Sequence, residues 1–274
     1  MIIYPNAKIN IGLNVVERRK DGYHNIETIF YPIELQDVIE LKTDGRKKKN
    51  TCTLRLTGEL LDGSPDDNLV VKAYRLLADD FVLPHFDIHL HKHIPTGAGL
   101  GGGSADAAFV LCAINEMCTL KQTRRQLEKY ALRIGADCPF FVRNKPMYAE
   151  GIGDKLKAVN VKLKGKCIVL VKPNVFVSTK DAYTDIVPTL SKVSLPDLLQ
   201  SPIASWRDTV INDFEKSVFR RFPEIAAIKD RLYDLGAEYA SMSGSGSSVF
   251  GIFDKQVKNV DDIFNGYFVR QRVL

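Results

Sequence analysis

The run Pro95-Thr96-Gly97-Ala98-Gly99-Leu100-Gly101-Gly102-Gly103-Ser104 constrains this chain more than any other segment. Five of the seven residues from 97 to 103 are glycine. Glycine has the most backbone freedom to lose, so such a run is a poor helix or strand interior. Residues 86–94 before it alternate apolar and polar, whereas the residues from 104 onward are Ala-rich and helical in composition. The segment therefore predicts a strand, a tight loop and a helix in direct succession. Glycines let consecutive N–H groups approach a ligand closely, and a helix beginning at Ser104, placed as its N-cap, adds free N–H groups and a positive dipole end. That is the physics of a phosphate cradle, although the run lacks the Gly-Lys-Ser/Thr ending of a P-loop and is not a plain G-x-G-x-x-G fingerprint. The plainer alternative is a flexible glycine linker, but linkers rarely join an apolar strand to a strongly helical segment.

At 274 residues the chain exceeds what one core usually organises. A polar stretch at 155–165 suggests a boundary, dividing the chain into 1–155 and 156–274. Ile9, Ile11, Leu13 and Val15 alternate with Lys8, Asn10, Gly12 and Asn14, predicting a strand over 8–16 with one buried and one polar face. Residues 38–42 and 52–56 read as a hairpin whose tip is the basic run Arg46, Lys47, Lys48 and Lys49. Helical spacing runs over 68–81, and Thr123 with Gln126 forms a capping box ahead of a helix ending at Gly135 as its C′ residue. Residues 138–142 form a short apolar segment. Further on, 167–171 is an apolar strand, Pro223 opens a helix ending at Gly236, strands flank 243–248, and a helix over 255–264 precedes a last strand. The order is that of an α+β sandwich of ferredoxin type.

Hydrophobic residues make up 45% and charged residues 26%, an ordinary globular balance that excludes pervasive disorder. Five cysteines with neither a C-x-x-C pair nor an even framework point to reduced thiols and a cytoplasmic setting. The first residues do not read as a signal peptide, and no apolar run reaches the roughly 18–20 residues that span a bilayer. A net charge of +5 with one short basic run, uninterrupted by aromatics, favours a solvated loop over a nucleic-acid surface. His89, His91 and His93 share a strand face, but no Cys or acidic neighbour completes a zinc set.

The glycine-rich loop resembles the second motif of the GHMP kinases, the group of galactokinase, homoserine kinase and the mevalonate-type kinases. Ser243-Gly244-Ser245-Gly246-Ser247-Ser248 resembles their third motif. Three segments narrow the resemblance: Ala7-Lys8-Ile9-Asn10-Ile11-Gly12-Leu13, Arg19-Lys20-Asp21-Gly22-Tyr23-His24, and Gly135-Ala136-Asp137-Cys138-Pro139-Phe140-Phe141. They point to the branch that phosphorylates the C2 hydroxyl of a diphosphocytidyl methylerythritol. The resemblance implies a two-domain GHMP kinase fold, with an N-terminal domain like ribosomal protein S5 domain 2 and a ferredoxin-like C-terminal domain. On this reading 1–155 binds ATP and 156–274 binds substrate. It also implies ATP as co-substrate with Mg²⁺, a small-molecule acceptor, no nucleic-acid or membrane partner, and a monomer or homodimer.

The same resemblance assigns residues. Lys8 and Asp137 are the catalytic pair, an ammonium that offsets developing charge and a carboxylate placed to accept the hydroxyl proton. Pro95, Thr96, Gly97, Ala98, Gly99, Leu100, Gly101, Gly102, Gly103, Ser104 and Ala105 cradle the phosphates, with Asn68 and Lys92 at the adenosine. Asn10, Tyr23, His24, Thr179 and Tyr183 bind the acceptor, the cytosine lying between the two tyrosines. Tyr183 stands where many relatives carry phenylalanine and keeps the stacking face. No metal ligand is assigned beyond Ser104 as a candidate. Taken without the resemblance, Lys8 and Asn10 are a solvated strand face, and Asn68 is equally a helix cap. Another GHMP kinase, or a nucleic-acid-binding module on a related fold, remains an alternative.

Overall fold

The computed structural model describes residues 1–59, 64–190 and 193–274. In chain order come β1 (Ile2–Ile3), β2 (Asn6–Arg18), β3 (His24–Gln36), β4 (Val38–Asp44), β5 (Cys52–Gly58), α1 (Leu69–Asp80) and β6 (His85–Lys92). Next are α2 (Gly102–Met117), α3 (Arg124–Ile134), α4 (Cys138–Arg143), β7 (Met147–Glu150), β8 (Lys155–Ala158) and β9 (Cys167–Lys172). The chain ends with α5 (Thr179–Ala182), α6 (Leu195–Leu198), α7 (Phe214–Arg221), α8 (Pro223–Asp234), β10 (Tyr239–Met242), β11 (Val249–Phe253), α9 (Val260–Ile263) and β12 (Phe268–Val273). Packing groups these into two compact units: Met1–Ala7, Leu35–Thr96 and Gly101–Lys145 form one, and Lys8–Glu34, Gly97–Leu100 and Pro146–Leu274 the other. The units follow packing rather than chain order.

The first unit is a sheet in the order β1-β4-β6-β5 with helices packed on it. Strand β6 turns Phe86, Ile88 and Leu90 into a core that also holds Tyr74 and Leu77 of α1 and Val110, Leu111 and Ile114 of α2. Full burial of each such side chain contributes about 1.5–3 kcal/mol. The expected hairpin of 38–42 with 52–56 does not form. Strand β6 inserts between the two, antiparallel to β4 and parallel to β5, with Ile88 opposite both Leu41 and Leu54. A parallel partner needs a crossover, and α1 supplies it between β5 and β6. The basic run is therefore a connection to an edge strand, where Arg46 pairs with Asp44 and Lys47 with Asp87. His89 and His91 share the Thr57 hydroxyl, at 2.9 and 3.0 Å.

The capping box at Thr123 and Gln126 has both of its bonds. Gly135, expected as a left-handed C′ residue, instead caps α3 in extended backbone at φ −179°, which any residue adopts. Residues 138–142, expected only as an apolar segment, are the helix α4.

The second unit contains two sheets, β2-β3-β7-β8 and the antiparallel β10-β11-β9-β12. Helices α7 and α8 place Phe214, Val218, Ile225, Ile228 and Leu232 in one core with Val169 and Val171 of β9 and with Leu13 and Val15 of β2. Strands on either side of 243–248 end where expected, but only Val260–Ile263 of the helix foreseen over 255–264 is α-helical. Strand β2 departs most from its pattern: Lys8 and Asn10, on the face expected to be solvated, are buried as deeply as Ile9 and Ile11.

Candidate active site

Within the second unit, Lys8 is 3% exposed. Its Nζ donates to Asn10 Oδ1 at 2.6 Å and to the Gly99 carbonyl at 3.0 Å, and lies 5.2 Å from the centre of the Phe30 ring. Asn10 is held in turn, its Nδ2 donating to Thr28 Oγ1 at 2.9 Å while that hydroxyl donates to Gly12 O at 2.6 Å. The segment Gly97–Leu100 is tied down from two sides. Lys8 N donates to Leu100 O at 2.9 Å, Ser243 Oγ to Gly99 O at 2.8 Å, and Ser248 N to Ala98 O at 3.2 Å. At Gly99, with φ +73°, a Cβ would lie 2.0 Å from the Ser243 carbonyl oxygen, so only glycine fits. Phe176 lies across Gly97, its ring 2.6 Å from where a Cβ would be.

The 243–248 loop has its own supports, which the sequence did not reveal. Asn212 Nδ2 donates to Met242 O at 2.8 Å and Gly244 O at 2.9 Å, and Glu215 Oε1 accepts from Met242 N at 2.8 Å. A buried amide and a buried carboxylate carry no distinguishing sequence mark.

In the first unit, α2 starts at Gly102, two residues before the expected N-cap, and Ser104 is its third residue. The cap is Gly101, at φ +70° and ψ +18°, a conformation in which a side chain would be strained. The first i→i−4 bond runs from Ala105 N to Gly101 O at 2.9 Å, so the N–H groups of 102–104 precede the helical ladder. Pro95 and Ala105 are buried, Thr96 and Gly103 exposed. Ser104 is half-buried and hydrogen-bonds the Cys138 thiol, opposing the burial that pushes that thiol up to about 12. Asp137 is half-buried and is the N-cap residue of α4.

Asn68 is the N-cap of α1, its Oδ1 accepting from Val70 N at 2.9 Å. Lys92 is 2% exposed, and its ammonium is engaged by two carboxylates, Asp37 and Asp106. Neither carboxylate was foreseen; a lone Asp in the Ala-rich start of α2 was the available signal.

The residues expected at the nucleobase fall in the second unit. Tyr23 is 64% exposed. The His24 and Tyr183 rings stack 4.6 Å apart at 21°, so imidazole covers the Tyr183 face where cytosine was expected. Burial, with Arg18 nearby, lowers the His24 pKa, favouring the neutral ring. Phe214 meets Tyr183 edge-on at 4.7 Å. Thr179 is exposed and opens α5 after the Ser178 cap.

In the first unit a helix opens on free N–H groups after a glycine turn, a setting that suits an anion; in the second a buried ammonium holds the carbonyl of Gly99. Residues 68–145 match the GHMP kinases N terminal domain and residues 195–268 the GHMP kinases C terminal family. The chain is 52% identical over 274 residues to a 4-diphosphocytidyl-2-C-methyl-D-erythritol kinase of Bacteroides fragilis, covering 100% of both. It is 51% identical over 256 residues to the kinase of that name from Bacteroides thetaiotaomicron, covering 93% of each. A crystal structure of 4-(cytidine 5'-diphospho)-2C-methyl-D-erythritol kinase superposes with a TM-score of 0.81 at 29% identity, covering 99% of this chain and 98% of that one. The chain belongs to the GHMP kinases and, within them, to the family of 4-diphosphocytidyl-2-C-methyl-D-erythritol kinases. It is an ATP-dependent small-molecule kinase with the two-domain α+β fold of that group. Among the described residues no helix is long and apolar enough to cross a membrane.

Proposed function

We infer that the chain transfers the γ-phosphoryl group of ATP to the C2 hydroxyl of 4-diphosphocytidyl-2-C-methyl-D-erythritol, a step of the methylerythritol phosphate route to isoprenoid precursors. The observation that carries the chemistry is Lys8, buried with its ammonium on the Gly99 carbonyl of the glycine-rich loop. Full-length similarity to kinases named for this acceptor supports the choice of substrate.

In this reading the N–H groups at the start of α2 hold the phosphates of ATP. The acceptor oxygen forms a bond to the γ-phosphorus as the bond to the ADP oxygen breaks, and Asp137 takes the hydroxyl proton. Lys8 offsets the negative charge that develops on the transferring group. Asn10, fixed by Thr28, orients the acceptor. Among the described residues no group of three or more His, Cys, Asp or Glu side chains is placed to cage a metal. That suits Mg²⁺, which is usually held by substrate phosphates and one or two protein oxygens, with the Ser104 hydroxyl as candidate. When bound it would neutralise phosphate charge.

Asn68 lines the adenosine from the α1 cap, and any ATP contact at Lys92 falls to its backbone, since the ammonium is engaged. Cytosine stacks on Tyr23 and takes the place of the His24 ring on Tyr183, with Thr179 alongside and the His24 backbone reading the polar edge. The roles divide near residue 155, ATP before it and substrate after it. We place the enzyme in the cytoplasm, as five unpaired thiols suit, as a monomer or homodimer acting on a small molecule and not on nucleic acid.

The test is incubation with ATP, Mg²⁺ and the acceptor, followed by mass spectrometry: a single added phosphate at C2 is expected, and an unphosphorylated acceptor overturns the reading. The uridine analogue should be a poor substrate, because it places an acceptor and a ring proton where cytosine offers a donor and a lone pair. Equal kcat/KM for the two analogues would remove base recognition from the proposal.

A further inference from the structure

Three charged side chains are buried around the two ends of the glycine-rich loop, all within the first unit. Lys92 Nζ donates to Asp37 Oδ2 and, at 2.8 Å, to Asp106 Oδ2. The other Asp37 oxygen accepts the backbone N–H groups of His93 and Ile94, at 2.5 and 2.8 Å. Asp106 belongs to α2, and its Oδ1 is buried without a hydrogen-bond partner. The Lys92 ammonium also lies 3.3 Å from the point a Cβ would occupy on Gly102, so it runs directly beneath the first residue of the helix.

These contacts span the loop. Lys92, His93 and Ile94 lead the chain into it, and Gly102 and Asp106 lead it out. Burying three formal charges is unfavourable unless they pair well, and apolar residues of similar volume usually pack at least as stably. The Asp106 oxygen left unpaired makes the group a weaker source of stability still. What charged groups supply that apolar ones do not is direction: bonds from one ammonium to two carboxylates, and from one carboxylate to two consecutive amides, fix three chain segments at one point.

We propose that Lys92, Asp37 and Asp106 form a clamp that presets the glycine-rich loop for nucleotide, with Lys92 a positioning residue whose ammonium does not touch ATP. The proposal rests on the reading of 95–105 as the phosphate cradle. The clamp holds the loop's two ends together before ligand arrives, so the ordering of a glycine-rich segment does not subtract from ATP affinity.

The experiment compares the full chain with Lys92→Met, Asp37→Asn, Asp106→Asn and Lys92→Met/Asp106→Leu. Amide hydrogen exchange of 96–105 is measured without nucleotide, MgATP affinity by calorimetry, and KM and kcat by assay. Each single variant should speed loop exchange and weaken MgATP by about tenfold while kcat at saturating ATP changes less than about threefold, the pattern of lost preorganisation. The double variant should lose no more affinity than the worse single change, since the residues act as one unit. If Lys92→Met does not fold by circular dichroism, the near-isosteric Asp37→Asn and Asp106→Asn decide. The clamp is overturned if both Asn variants keep wild-type exchange and affinity, or if Lys92→Met alone weakens ATP, which would mean a direct contact. Failure of the underlying reading looks different: ATP would not protect amides 97–104 even in the wild type, and the clamp proposal would fall with it.

Discussion

Two loops of this chain contain glycine turns and are opposite in construction: 95–103 has five glycines and no serine, 243–248 two glycines and four serines. Residues 95–103 leave a central strand and open a sixteen-residue helix, so their end presents unpaired N–H groups. Residues 243–248 join two adjacent antiparallel strands, and their polar groups are turned to neighbours: Ser243 Oγ to Gly99 O, Ser248 N to Ala98 O, and the Gly244 carbonyl to Asn212. Three buried charged groups bracket the first loop, whereas a buried amide and one buried carboxylate, Glu215, support the second. Glycine content alone therefore does not mark an anion site. The element entered after the glycines does, because a helix leaves its first amides free whereas a hairpin sheet pairs them. In the proposed reading the first loop serves the ligand, while the second holds its Gly97–Leu100 segment.

The largest effect should come from the chemistry assigned to the first loop's neighbours. Asp137→Asn and Lys8→Ala are each expected to lower kcat by at least about a hundredfold, as loss of a positioned acid–base or electrostatic group does. Calorimetry should still show ATP binding in both. Near-normal turnover would leave the first loop without the catalytic setting that separates it from the second.

Gly99 tests the join between the loops. Alanine there must adopt a left-handed conformation, at about 1–2 kcal/mol, and also push a backbone carbonyl aside. Thermal melts should show Gly99→Ala destabilised by more than about 2 kcal/mol. Gly103→Ala meets only Leu69 Cδ1, at 3.5 Å, and lies within the helix. It should be neutral or stabilising by up to about 1 kcal/mol. Equal melting of the two variants would break the claim that the second loop holds the first at this point.

Asn212→Ala removes three bonds from a buried amide, to Met242 O, Gly244 O and from Phe214 N, and should cost about 1–3 kcal/mol. Its kinetic signature sharpens the comparison: the acceptor KM should rise a few-fold, about what one misplaced polar contact costs, with ATP affinity unchanged. A loss of ATP affinity instead would assign phosphate binding to the second loop as well.

The last test concerns pH. Burial, with Asp37 nearby, raises the Asp106 pKa to about 7, and Lys92 opposes the shift. A carboxyl whose folded pKa lies above its unfolded value contributes stability that is full below the unfolded value and is lost as pH rises toward the folded one. Urea melts from about pH 4 to about pH 7 should therefore show the wild type losing stability relative to Asp106→Asn. Parallel pH profiles would show that Asp106 stays ionised throughout in its pairing with Lys92.

Much of this was legible beforehand where the cause is local. The strand, loop and helix around 95–103 come from alternation, glycine freedom and helix-forming composition, and the Thr123 box from side chains three residues apart. The roles expected of Lys8, Asp137 and the two loops came from motif resemblance. The hairpin of β4 and β5 was misread because alternation says which face of a strand is buried and nothing about which strand lies beside it. The helix start was misplaced because Ser104 is a better cap than glycine by side chain, while Gly101 is better by backbone.

The order of apolar and polar residues in this sequence determined its elements, and the residue types within its motifs determined the family, since both depend on neighbours along the chain. Tertiary structure alone decided which polar groups are buried and with whom. Lys8 and Asn10 lie on a face that alternation marks as solvated, and it is Gly99, Thr28 and Ser243, from three distant segments, that cover it. Lys92 meets Asp37 across 55 residues and Asp106 across 14. A buried charge has to be neutralised wherever the fold brings a partner, and that distance in space leaves no trace in sequence spacing.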